Sequence, residues 1–119
     1  MMRILSVALL ASLLLAAPAH AVDCDNATTQ AQMTQCAADM YSEADKLLNQ
    51  TYKDVMAKLE PARQKALKQS QRDWIKYRDS HCKAESSQML GGSMYGTVLN
   101  SCLAETTTAR TEKLKEMGK

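Results

Sequence analysis

Phenylalanine is absent from the 119-residue chain, aromatic residues make up 4% of it, and there is one tryptophan. Without repeated aromatics there is no base-stacking platform for single-stranded nucleic acid. A formal net charge of +2 leaves no strong basic field for a nucleic-acid backbone either. Only 4 glycines and 2 prolines are present, which excludes collagen-like and low-complexity chains. No C-x-x-C, C-x-x-C-H, H-E-x-x-H, G-x-S-x-G or phosphate-cradling glycine loop occurs. Zinc ribbons, haem attachment and the common hydrolase and nucleotide sites therefore have no signature here. Segments beyond residue 21 are too short or too polar to read as membrane spans. The length allows one domain.

What the chain does have begins with a leader. Arg3 precedes an almost unbroken apolar run from Ile4 to Ala17, Pro18 breaks it, and Ala19-His20-Ala21 has the small-x-small form of a signal-peptidase site. The run is shorter than the roughly 20 residues of a spanning helix. Residues 1–21 thus read as a cleaved signal peptide and 22–119 as the exported domain, periplasmic or secreted. Ala21-Val22-Asp23 before Cys24 is not a lipoprotein box. Loss of Arg3 leaves the mature domain at +1, with His81 as its one histidine.

All four cysteines, Cys24, Cys36, Cys82 and Cys102, lie in the mature domain. An even count in a small exported chain favours disulfides over metal. Three pairings are open, and proximity in sequence favours Cys24–Cys36 with Cys82–Cys102. Cys24, Cys36, His81 and Cys82 form the rival ligand set, but their spacing matches no zinc motif. No metal or cofactor is expected.

Hydrophobic periodicity gives three helices and no strand. The first runs from about Gln30 to Leu59, capped by Thr28 or Thr29. Met33, Ala37, Met40, Ala44, Leu47, Leu48, Thr51, Val55 and Leu59 make up its expected buried face. Glu60-Pro61 breaks it, because helix is disfavoured in the residue before a proline. The second helix spans about Pro61 to Glu85. Ser86 to Thr97, with Gly91-Gly92, reads as a loop. The third runs from about Val98 to Met117, with Val98, Cys102, Thr106, Ala109, Arg110, Leu114 and Met117 on one face and Gly118 as its stop. The fold class is all-α: a small antiparallel three-helix bundle stapled by two disulfides.

Helix two carries an unusual stripe. Leu67, Ser70, Gln71, Trp74, Tyr77, Arg78, His81 and Cys82 fall on one arc. A buried arginine needs a carboxylate or carbonyl partner. Asp45 on helix one is the expected partner of Arg78, with Asn49 and Tyr52 beside it. Asp45, Asn49, Tyr52, Gln71, Trp74 and Arg78 then form a polar network that either fixes helix register or holds a polar ligand. Asp39 with Glu43, or Asp73 with Asp79, imitates a glycosidase pair, but solvated helix faces carry such acids routinely. His81 beside Cys82 offers no nucleophile if Cys82 is oxidised. No catalytic residue is assigned, and the chain reads as a non-enzyme.

These residues assemble into a recognisable pattern. Asp23-Cys24 with Cys36; Ala44-Asp45, Leu48-Asn49 and Tyr52; QRDWIKYRDSHC from Gln71 to Cys82; Gly91-Gly92-Ser93; Cys102; and Thr107, Arg110, Thr111 and Leu114 follow in order. The pattern covers nearly the whole mature chain and resembles the LprI-like lysozyme inhibitor family. The resemblance implies a helical bundle with the two local disulfides. It also implies inhibition of host lysozyme by protein contact. An inhibitor of that kind needs a rigid protruding segment for a cleft with two carboxyl groups. Gly91, Gly92, Ser93 and Tyr95, in the segment Ser86–Asn100, are the candidate partner-binding loop. The alternative is a non-enzymatic envelope binding module, using adaptable contacts such as Met33, Met40, Met56, Met89 and Met94.

Overall fold

The computed structural model describes residues 22–119; the predicted signal peptide, residues 1–21, lies outside them. Three helices follow in order: α1 (Gln30–Met56), α2 (Pro61–Ser86) and α3 (Tyr95–Met117). Short 3-10 turns occupy Cys24–Asn26 and Ser87–Met89. No strand occurs among the described residues.

Local chemistry sets the helix ends. Thr29 and Gln32 form a reciprocal capping box: the Gln32 amide donates to the Thr29 hydroxyl at 3.1 Å, and the Thr29 amide donates to Gln32 Oε1 at 3.2 Å. At the other end of α1, the expected boundary at Leu59 contracts to Met56. Lys58 and Leu59 close in tighter turns, because Glu60, preceding Pro61, is extended (φ −69°, ψ 157°). Pro61 opens α2, where its missing N–H costs nothing. Gln64 Nε2 donates to the Met56 carbonyl at 2.8 Å, which satisfies an orphaned acceptor of α1 and ties the hairpin.

Short connections make consecutive helices antiparallel, so α1 and α3 run parallel. Gly96 sits against the Thr34 methyl, and Gly118 against a Val55 methyl. Corresponding ends of the two helices thus meet. Near the start, Gln30 Nε2 donates to Thr97 Oγ1 at 2.6 Å, and the Thr34 and Thr97 hydroxyls lie 2.8 Å apart. Ala37, Thr51, Ala104, Thr107 and Thr111 are buried small residues, and they let α1 and α3 approach closely. The expected face of α3 is corrected accordingly. Cys102 and Leu114 are buried as expected, but Ala104, Thr107 and Thr111 form the rest of the buried face. Thr106 and Arg110 are half-buried and Ala109 is exposed. On α1, Met33, Met40 and Leu47 are likewise left exposed, because α3 covers only the neighbouring strip of Ala37, Leu48, Thr51 and Val55.

Leu48, Val55, Leu67 and Leu114 make the apolar core, fringed by Tyr52, Met56, Leu59, Trp74 and Met117. It occupies the end holding the α1–α2 hairpin and the C-terminus. The other end has little core and is held covalently instead. Cys24–Cys36 anchors the leading segment to α1, and Cys82–Cys102 joins α2 to α3. Both are the pairings favoured by proximity. Closing loops of this length restricts the unfolded chain by about 3 kcal/mol each.

Candidate functional site

Trp74 is the pivot of the α2 stripe. Two guanidinium groups lie over its indole, that of Arg78 at 5.2 Å and that of Arg110 at 5.7 Å from the ring centroid. Arg78 also lies 5.5 Å from the Tyr41 ring on α1, so it bridges two helices through aromatic faces.

The two arginines differ in their partners. Arg78 is buried, and its Nε donates to Asp79 Oδ1 at 3.0 Å. Arg110 reaches from α3 to α2, where its Nε donates to Gln71 Oε1 and an Nη to Ser70 Oγ, each at 3.0 Å. Those partners are neutral. Burial pushes the Arg110 guanidinium below its usual pKa, because desolvation disfavours the charged form. Among the described residues no carboxylate lies within ion-pair distance of it.

The expected Arg78–Asp45 pair is not formed. Asp45 Oδ2 instead takes a long hydrogen bond, 3.4 Å, from Asn49 Nδ2 on its own helix. α1 packs most closely on α3, and α2 lies farther from α1. Asp45, Asn49, Tyr52, Gln71 and Arg78 consequently line an open groove between α1 and α2 rather than a closed network. Trp74 joins this set through Arg78, which lies over its indole, and through Arg110, which lies over the indole and donates to Gln71. A second groove, between α2 and α3, is lined by Trp74, Tyr77, Glu105, Thr106, Arg110 and Lys113. Arg110 is the residue that sequence reasoning missed as a site group. Its spacing places it on the expected inner face of α3, and nothing local marks its approach to Trp74.

Farther along α2, the Tyr77 and His81 rings stack at 5.4 Å, and His81 Nε2 lies 3.5 Å from Glu85 Oε1. Cys102 Sγ is near this pair but is bound in a disulfide, leaving two ligand groups where a stable metal site needs more.

The glycine segment is shorter than expected, because α3 begins at Tyr95 rather than Val98. Only Leu90–Met94 remain between the last 3-10 turn and the helix. Gly91 adopts φ +79°, a left-handed conformation that suits glycine. Gly91, Gly92 and Ser93 are exposed, whereas Tyr95 is half-buried in the first turn of α3. Leu90, 69% exposed, and Met94, 41% exposed, are the apolar groups of the turn. Ser86 Oγ, fully buried below it, donates to the Cys82 carbonyl at 2.8 Å.

Fold and site together define a disulfide-stapled three-helix domain with an arginine–tryptophan seam and an exposed glycine turn. Residues 24–114 match the family described as lysozyme inhibitor LprI, and the chain belongs to that family. It is 37% identical, over 98% of its own length and 96% of the relative's, to an uncharacterized protein of Rhizobium meliloti (strain 1021). It also resembles the crystal structure of a DUF1311 family protein from Pseudomonas putida KT2440. That match has a TM-score of 0.70 at 26% identity and covers 76% of this chain and 94% of that one.

Proposed function

We propose that the chain is an exported, non-catalytic inhibitor of lysozyme that acts through the turn Leu90–Met94. Family membership supports the class. Two disulfides fit an oxidising compartment outside the cytoplasm. The observation that carries the choice of surface is the turn itself: Leu90 stands out from a base fixed by the Cys82–Cys102 bridge. A turn held in this way loses little freedom on entering a cleft. Leu90 is the apolar anchor of this turn, since Tyr95 is half-buried in the first turn of α3.

The test is a cell-wall lysis assay with animal-type lysozyme, titrated with the oxidised protein and with Leu90→Asp and Ser93→Ala variants. Stoichiometric inhibition that Leu90→Asp abolishes is the expected result. Inhibition retained by Leu90→Asp moves the contact surface elsewhere. No inhibition by folded protein at about 50 μM, well above the Kd of specific inhibitors, defeats the proposal.

A second function has one observation in its favour. Met33, Met40 and Leu47 recur at seven-residue spacing along α1, 38%, 59% and 52% exposed. Such a strip suits an envelope binding module that accepts a partner helix. Substituting Met40 and Leu47 by Asp would abolish that binding and leave lysozyme inhibition unchanged.

A further inference from the structure

Two arginines share one indole, and among the described residues only Arg78 is matched by a carboxylate. We propose that the groove between α2 and α3 binds a carboxylate carried on a sugar ring, with Arg110 as its anchor and Lys113 beside it. This inference does not rest on the lysozyme proposal. Arg110 is about four helical turns from the glycine turn.

The groove has the required parts. It is a shallow groove open to solvent, with a volume of about 430 Å³, enough for one ring laid along its wall. Thr106, Arg110 and Lys113 project from one face of α3 at helical spacing, and Trp74 with Tyr77 does so from α2. Arg110 has five N–H donors, of which Gln71 and Ser70 take one each. The remainder suit a carboxylate oxygen, and an anion there offsets the desolvation of the guanidinium. Among the described residues Lys113 is engaged only by exposed Glu116, at 3.7 Å, and this weak surface pair leaves it able to turn toward the groove.

Charge selects the anion. Arg110 and Lys113 set against Glu105 leave one net positive charge in the groove, which matches a single carboxylate better than a phosphate dianion. The other groups select the body. The exposed Tyr77 provides the aromatic surface for a ring beside Trp74, whose indole is covered by the two guanidinium groups, and Glu105 and Thr106 provide acceptors for its hydroxyls. Arg78 serves a different purpose: it is buried against Tyr41 and Trp74 and positions the indole.

Trp74 is the sole tryptophan, so its fluorescence reports the groove directly. The disulfide-bonded protein is titrated with N-acetylmuramic acid, with N-acetylglucosamine, which has the ring but no carboxylate, and with N-acetyl-D-alanyl-D-alanine, which has a carboxylate but no sugar. The expected result is saturable binding of N-acetylmuramic acid, with each of the other two at least about tenfold weaker. Arg110→Gln should weaken it by at least about tenfold, and higher salt should weaken it further. Absence of a saturable change up to about 50 mM, weaker than any useful site, overturns the proposal. Equal binding of either control also overturns it, as does wild-type affinity in a folded Arg110→Gln variant. Should that variant fail to fold, Lys113→Glu alters an exposed side chain and reverses its charge. Loss of binding there supports the site, and unchanged binding overturns it.

Discussion

Thr107 offers a sharp test of the packing argument. Its side chain is fully buried on α3, and its hydroxyl is a buried polar atom with no hydrogen-bond partner among the described residues. Thr111, one turn later, is buried too, but its hydroxyl donates to the Thr107 carbonyl at 3.2 Å. The two threonines share a helix and a degree of burial and differ in satisfaction. An unsatisfied buried hydroxyl costs about 1–3 kcal/mol, and valine fills nearly the same shape without it. A methyl in that position adds up to about 0.8 kcal/mol of burial. Helix propensities of threonine and valine are close, so that term drops out. Thr107→Val should therefore stabilise the protein by about 1–2 kcal/mol and raise Tm by about 4–8 °C per kcal/mol. In Thr111→Val a satisfied bond worth about 1 kcal/mol is lost, which the gained methyl roughly offsets. Thermal and urea melts of the oxidised protein read both variants. If Thr107→Val melts at or below the wild type, the hydroxyl is not a liability and the reasoning fails.

Other outcomes follow from the same geometry. A Cβ on Gly96 would stand 2.8 Å from the Thr34 methyl, so Gly96→Ala should cost about 1–3 kcal/mol. Thr34→Ser keeps the hydroxyl that meets Thr97 and removes the methyl, so it should restore most of that loss; additive melts in the double variant would contradict the contact. Replacing Cys82 and Cys102 together by alanine should cost about 3 kcal/mol, measured by urea unfolding, and an unchanged midpoint would refute a structural bridge. Arg78→Ala should cost about 2 kcal/mol through its two aromatic contacts, and Arg78→Lys should recover only part of it. A loss below about 0.5 kcal/mol would show that Arg78 bridges nothing.

Much of the architecture is written in short stretches of sequence. A threonine cap at Thr28 or Thr29, Pro61 and Gly118 mark helix ends through local chemistry, so three helices and most of their limits are legible without a fold, while the start of α3 lies three residues earlier than expected. The disulfide pairs are close in sequence, and closing small loops favours them before any packing is known. The Trp74–Arg78 stripe is legible for the same reason, as residues four apart share a helix face. Which faces meet is decided at longer range. Short connections place α3 parallel to α1, and small side chains at Ala37, Ala104 and Thr107 let those two helices close, leaving α2 farther from α1. That spacing denies Arg78 its expected bond to Asp45 and leaves it Asp79. It also brings Arg110, far along the chain, onto Trp74 with only neutral partners. Periodicity reports that a side chain faces inward, but the group it meets there depends on the volumes of side chains on two other helices.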